Sequence, residues 1–342
     1  MKPSGKVWAA VCLICLLGAC RNGQKEQETA MKSPANVVQD EEAITLLYQN
    51  KPVVRYYKAL CPVPEGVNPI FRRSGFIHPL WSPSGKVLTR IQPPDHYHHY
   101  GIWNPWTMTH LEGREVDFWN LAKGQGTVRF AGLESVLCDS SGGRFQVRQE
   151  HVDFTAVPQG RVAIEEIWGI GVFASQAEGR TVWVVDFDSR FWNALNSPIV
   201  LDAYRYGGGI GFRATEEWTK DNCTVLTSEG RTRKDADGQR ARWCDVNGSF
   251  SDGTRAGIVF LSHPENREHP EPMRVWPTDA NGGRGDLFVE FCPIRLNSWT
   301  LESGRKYRLR YRLIVYDGTL KPETAEQFWQ QYANGTETQS SH

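Results

Sequence analysis

Three imidazoles and a carboxylate fall within five residues in Asp95-His96-Tyr97-His98-His99. An imidazole exchanges its proton near neutral pH, so His98, His99 or His96 is a candidate general acid. The reaction then needs a carboxylate as base. Asp95 is adjacent in the chain, while Asp117, Asp202 and Glu290 fall at or near the ends of expected strands; Glu290, in the run LFVEFCP, is the first choice. The competing reading of Glu290 is a strand residue facing solvent. On an extended backbone, Asp95, Tyr97 and His99 share one face and His96 and His98 the other. His96 and His98 are therefore also a candidate ligand pair for a divalent transition metal, with no obvious third ligand. Imidazoles bonded to loop backbone are the remaining alternative.

Groups that would hold a ligand surround this cluster. Trp81, Trp103, Trp106 and Trp119 are interleaved with polar residues. Their rings suit the apolar face of a sugar, and core packing competes for the same residues. Arg213 follows the run Gly207-Gly208-Gly209, where the backbone turns sharply or approaches a ligand and the guanidinium offers a planar fork of donors. A surface ion pair is the alternative for Arg213. Arg90 is a further candidate substrate contact, and His263, between Pro264 and Pro270 in SHPENREHP, is placed on a loop over the sheet.

The elements that position these groups read as strands. Tyr307, Leu309, Tyr311, Leu313 and Val315 alternate with Arg308, Arg310 and Arg312, and Trp183, Val185 and Phe187 alternate with Val182, Val184, Asp186 and Asp188. Further strands are expected over 52–57, 126–137, 144–154, 161–168, 199–206, 256–261 and 287–291. Gly, Asn, Asp and Pro separate them, with no βαβ rhythm, which indicates an all-β sandwich. One helix is expected at the C-terminus: Pro322 opens it, Ala325, Phe328, Trp329 and Tyr332 form its apolar stripe, and Asn334-Gly335 ends it.

At the N-terminus, Lys2 and Lys6 precede an apolar run from Val7 to Leu17, too short to span a bilayer. Leu17-Gly18-Ala19-Cys20 resembles a lipobox, so residues 1–19 are expected to be a signal peptide and Cys20 the lipidated first residue of a cell-envelope lipoprotein. Residues 20–40 are expected to tether a single domain over 41–334, followed by a disordered tail over 335–342. Lys plus Arg and Asp plus Glu are each 39, which leaves no net field to attract nucleic acid. The mean hydropathy of −0.48 argues against further membrane segments, leaving the lipid anchor as the only membrane contact. Cys223 and Cys244 are the nearest cysteine pair for a disulfide.

The segment Ser74 to Leu121, with YRYGGGIGFRA from Tyr204, ARWCDVNG from Ala241, FLSHPENREHPEP from Phe260 and LRYRLIVYDG from Leu309, resembles the family labelled methane oxygenase PmoA. Tyr100 departs from the pattern, which more often carries Arg there, and Tyr100 takes that place as a candidate substrate contact. Methane oxidation is rejected, because a membrane oxygenase needs several spanning helices. The resemblance implies instead a large β-sandwich of the galactose mutarotase-like supersandwich type. The expected partner is a carbohydrate or glycoside. The expected function is sugar modification by His acid–base chemistry, of the mutarotase or epimerase type or as lyase or hydrolase, with noncatalytic glycan binding as the alternative.

Overall fold

The computed structural model describes residues 33–335. The proposed signal peptide, Cys20 and most of the proposed tether lie outside the described residues, as do residues 336–342. The fold starts earlier than expected, because Ala35–Gln39 is a strand paired antiparallel with Ala43–Tyr48 and not tether. The Ala35 side chain is buried in the core, where Val37 packs beside it.

Among the described residues there are three sheets. The largest runs, in spatial order, Ala35–Gln39, Ala43–Tyr48, Lys51–Tyr57, Phe76–Leu80, Ile102–Trp103, Ile210–Arg213, Phe288–Phe291, Glu271–Val275 and Arg240–Ala241. The second runs Cys223–Thr227, Trp243–Ser249, Arg255–Ser262, Lys306–Asp317, Arg180–Asn193, Arg161–Ala177, Gly143–Asp153 and Gly126–Cys138. A small third sheet holds Trp299–Leu301, Ile199–Leu201, Thr109–Leu111 and Arg114–Val116. All the strand pairs within these sheets are antiparallel, and the two large sheets pack face to face, with Tyr56 against Phe145 and Trp168 and Phe291 stacked on Tyr311.

The alternation read from the sequence explains this packing. Tyr307, Leu309, Tyr311, Leu313 and Val315 enter the core, and Trp183, Val185 and Phe187 join them. On the reverse face Arg308 pairs with Asp188 at 2.6 Å and Arg312 with Asp186 at 2.6 Å. Beyond those pairs the reverse face becomes apolar: Val182, Val184, Ile314 and Tyr316 are covered by Ala325 and Phe328 of the helix Pro322–Ala333. No described helix is long and apolar enough to cross a membrane. Cys223 lies opposite Gly248 and Cys244 opposite Thr227, four residues apart along one ladder, and both thiols are free, so this nearest pair in sequence is not joined.

Candidate functional site

The histidine segment is not extended. Pro93 accepts the His96 N–H and His96 accepts the His99 N–H, so two successive turns replace the strand on which faces would alternate. The turns bring all three imidazoles together: ring centroids are 4.6 Å apart for His96 and His99, 4.9 Å for His98 and His99, and 5.4 Å for His96 and His98. Tyr97 turns away to pack on Phe71.

The three imidazoles differ in environment. His99 is 1% exposed and lies among Trp103, Trp119, Trp276 and Phe288, where burial holds it neutral by pushing its pKa well below the ordinary value. His98 faces the cleft, and burial lowers its pKa to about 4. His96 Nδ1 donates to Asp95 Oδ2 at 2.7 Å. The same oxygen accepts from Arg213 Nη2 at 2.8 Å and Asn281 Nδ2 at 2.8 Å. Burial alone would raise the Asp95 pKa, but the His96 bond and the Arg213 charge outweigh it and hold the carboxyl well below its usual range. The ionised Asp95 accepts the Nδ1 proton of His96, which orients the ring and leaves Nε2 for a ligand.

The carboxylate is braced from behind. Arg213 is 1% exposed, its guanidinium lies 4.8 Å from the centre of the Trp276 ring, and Asp286 is 3.7 Å away. Arg213 is therefore a positioning residue for Asp95, not a sugar contact. Nor do the glycines before it admit a ligand: a side chain at Gly208 would collide with Trp106 and one at Gly209 with the Phe291 carbonyl. Of the alternatives read for that run, the tight turn is the one present, with φ of +69° and +60°.

His96, His98 and His99 line a cleft of about 370 Å³. The lining also includes Asp117, Glu115 and Lys123, with Lys123 3.0 Å from Asp117 and 3.4 Å from Glu115. Asp117 also accepts the backbone N–H groups of Trp119 and Asn120. Trp119, Tyr204 and Tyr206 supply aromatic surface, and Arg205 projects from the loop between the two tyrosines.

Several candidates lie elsewhere. Glu290 is buried beneath the glycine turn, where Oε1 accepts the Gly207 N–H at 2.7 Å and Oε2 has no hydrogen-bond partner among the described residues. Burial pushes its pKa well up, and it does not line the cleft, so it does not serve the histidines as base. Trp103 and Trp106 are core residues, Trp106 packing on Phe191 and Trp299. Tyr100 is buried, takes a hydrogen bond from Gln92 and donates to the Phe71 carbonyl. Arg90 pairs with Glu216 at 3.2 Å and does not line the cleft. His263 packs edge-on against Tyr332 of the C-terminal helix, with Nδ1 accepting the Glu265 N–H. Among the described residues no three His, Cys, Asp or Glu side chains are arranged to hold a metal ion, and the Nδ1 of His96 is already engaged by Asp95.

Sequence reasoning missed Glu115, Lys123, Tyr204, Arg205 and Tyr206 in the cleft, and Asn281 and Asp286 behind it. The polar, glycine-rich run from Pro277 to Asp286 was a loop signal that pointed to a site wall.

Residues 43–330 match the family of unknown function DUF6807, which carries no methane-oxygenase label. No curated protein matches the chain. Among solved structures, a galactose mutarotase related enzyme from Lactobacillus acidophilus is 7% identical over 84% of this chain and 98% of its own, with a TM-score of 0.36. A heparan sulfate lyase from Pedobacter heparinus is 8% identical over 84% of this chain, which spans 36% of the lyase, with a TM-score of 0.35. An alpha-galactosidase from Lactobacillus brevis is 9% identical over 84% of this chain and 40% of its own, with a TM-score of 0.34.

Proposed function

The chain belongs to the DUF6807 family, and from the geometry of its cleft we propose that it is a sugar-modifying enzyme that works by histidine acid–base chemistry. The observation that carries this reading is the Asp95–His96 pair, which opens on the same cleft as the neutral His98. A binding site needs aromatic and polar surface, but it has no need of an imidazole oriented by a buttressed carboxylate. His98, neutral above about pH 4, accepts a proton from the substrate. His96 donates one, and Asp95 stabilises the imidazolium from which it leaves. In a mutarotase-type reaction the anomeric hydroxyl gives its proton to His98, the bond from the anomeric carbon to the ring oxygen breaks, and that oxygen takes the proton of His96. Ring closure reverses both transfers. Trp119 and Tyr206 offer the apolar surface on which the sugar ring lies, and Asn120 and Asp117 offer polar groups at its edge.

Cys20 lipidation would hold this enzyme on the cell envelope. Cys20→Ser then moves the protein from the membrane to the soluble fraction, and retention on the membrane refutes the anchor.

The function is tested by incubating a panel of neutral and acidic sugars with the protein in D2O and following anomer ratio, deuterium incorporation and chain cleavage by NMR. Turnover that is lost in both His96→Gln and His98→Gln supports the proposal. Binding without any turnover assigns the cleft to glycan capture instead, and turnover unchanged in both variants refutes the role of the histidines.

A further inference from the structure

The small four-stranded sheet joins the histidine cleft to a second groove. Glu115, on the strand at one edge, lines the cleft, and Thr300, on the strand at the other edge, lines a groove of about 490 Å³. Register connects them: Thr300 lies opposite Val200, Val200 opposite His110, and His110 opposite Glu115. Directly opposed residues of antiparallel strands share a face. These four side chains therefore form one row across the sheet. Thr300 and His110 are exposed and Val200 and Glu115 half-buried, whereas Leu201, Thr109 and Val116 of the other face are buried. Three strand spacings make the row about 14 Å long. That is an open track between two depressions, longer than one sugar ring.

The far groove is basic and aromatic. The Arg267 guanidinium lies 5.1 Å from the centre of the Trp299 ring, and that of Arg305 lies 5.4 Å from the centre of the Tyr307 ring. The two rings meet edge to face at 5.3 Å at the sheet edge, with Trp299 opposite Leu201 on the face turned away from the row. Neither Arg267 nor Arg305 forms an ion pair among the described residues. The carboxylates of the groove are committed elsewhere, Glu265 to Arg310 and Glu268 to Arg240 at 2.7 Å. Arg308 is likewise taken by Asp188. Along the row His110 is held by Asp202. In the cleft Arg205 is exposed and forms no ion pair among the described residues, its guanidinium 5.5 Å from the centre of the Tyr206 ring. At the groove end the two guanidiniums have no ion-pair partner among the described residues and match an acidic group of a bound chain, whereas at the cleft end Glu115 and Asp117 share the one cation Lys123 and Arg205 only balances them.

We propose that the substrate is an acidic oligosaccharide laid across the exposed face of this sheet, with its reacting sugar at the histidines and a distal carboxylate or sulfate in the Arg267–Arg305 groove. The inference rests on the sugar-enzyme reading of the cleft and adds the length and charge of the substrate. Binding of galacturonic acid, its hexamer, a chondroitin sulfate hexasaccharide and neutral cellohexaose to the full chain is measured by isothermal titration at low and high salt. At least one acidic hexamer is expected to bind about tenfold more tightly than galacturonic acid, with a gain that shrinks in salt as exposed charge contacts do. The double variant Arg267→Gln, Arg305→Gln is expected to lose that gain and keep the affinity for the monomer. Arms with the two acidic hexamers separate carboxylate from sulfate recognition. A gain equal for cellohexaose, a gain that survives in the double variant, or no gain for either acidic hexamer overturns the track. The cleft reading fails separately, if turnover is indifferent to His96→Gln and His98→Gln.

Discussion

Replacing Asp95 by Asn keeps the shape of the side chain and removes its charge, at a point where three donors converge on one oxygen. Arg213 Nη2, His96 Nδ1 and Asn281 Nδ2 all lie within 2.8 Å of Oδ2. Arg213 is 1% exposed, so the variant leaves a buried guanidinium with only Asp286 at 3.7 Å for compensation. Breaking a buried pair from one side costs about 3–5 kcal/mol. The amide oxygen still accepts one bond and Asp286 remains, which brings the expected loss to the lower end, about 3 kcal/mol. In urea unfolding the midpoint should fall with the slope unchanged, and Tm should drop by roughly 6 °C at about 2 °C per kcal/mol for a domain of this size. The depressed pKa of Asp95 sets the sign of the pH dependence. Its contribution is fully present above the unfolded carboxyl value of about 3.9 and is lost as pH falls through the folded value, so native and variant stabilities should converge in strong acid. Adding Arg213→Met to the variant should recover part of the loss, because the uncompensated charge is then gone. A full-strength Asp95→Asn protein, or additive losses in the double variant, refutes the buttressed dyad.

His99→Ala should lower both stability and activity, by about 2–4 kcal/mol in unfolding measurements, because it empties a site walled by Trp103, Trp276 and Phe288. A stable but inactive variant would return His99 to direct chemistry. Glu290→Gln should be more stable than the native protein at pH 7. The buried carboxyl has a raised pKa, so native stability declines as pH rises from the unfolded value of about 4.3 towards the folded one, a decline the amide does not share. Equal pH profiles of unfolding would contradict this. With His98 lowered to about 4, the acid limb of turnover assigned to it should fall near pH 4 and not near the ordinary imidazole value of about 6.5. An acid limb breaking at the ordinary value would remove His98 as the base.

Local pattern carried much of this protein. Period-two alternation is a property of neighbouring residues, and it located the strands Arg180–Asn193 and Lys306–Asp317 and assigned their core faces. Pro322, the apolar stripe and Asn334 placed the helix, which spans Pro322–Ala333. The concentration of His, Asp and Trp between Asp95 and Trp119 marked the segment that lines the cleft. The assignment of roles within that segment was decided by tertiary structure. Two turns after Pro93 replaced an extended strand, so the face rule that paired His96 with His98 and set His99 apart did not apply. The partners of Asp95 are separated from it by 118 residues for Arg213 and 186 for Asn281, distances over which no periodicity in the chain reports contact. Burial was equally invisible for Glu290, Trp103, Trp106 and Tyr100. Residue type states what a side chain can do, and only the closure of the two large sheets determines whether water and a ligand can reach it.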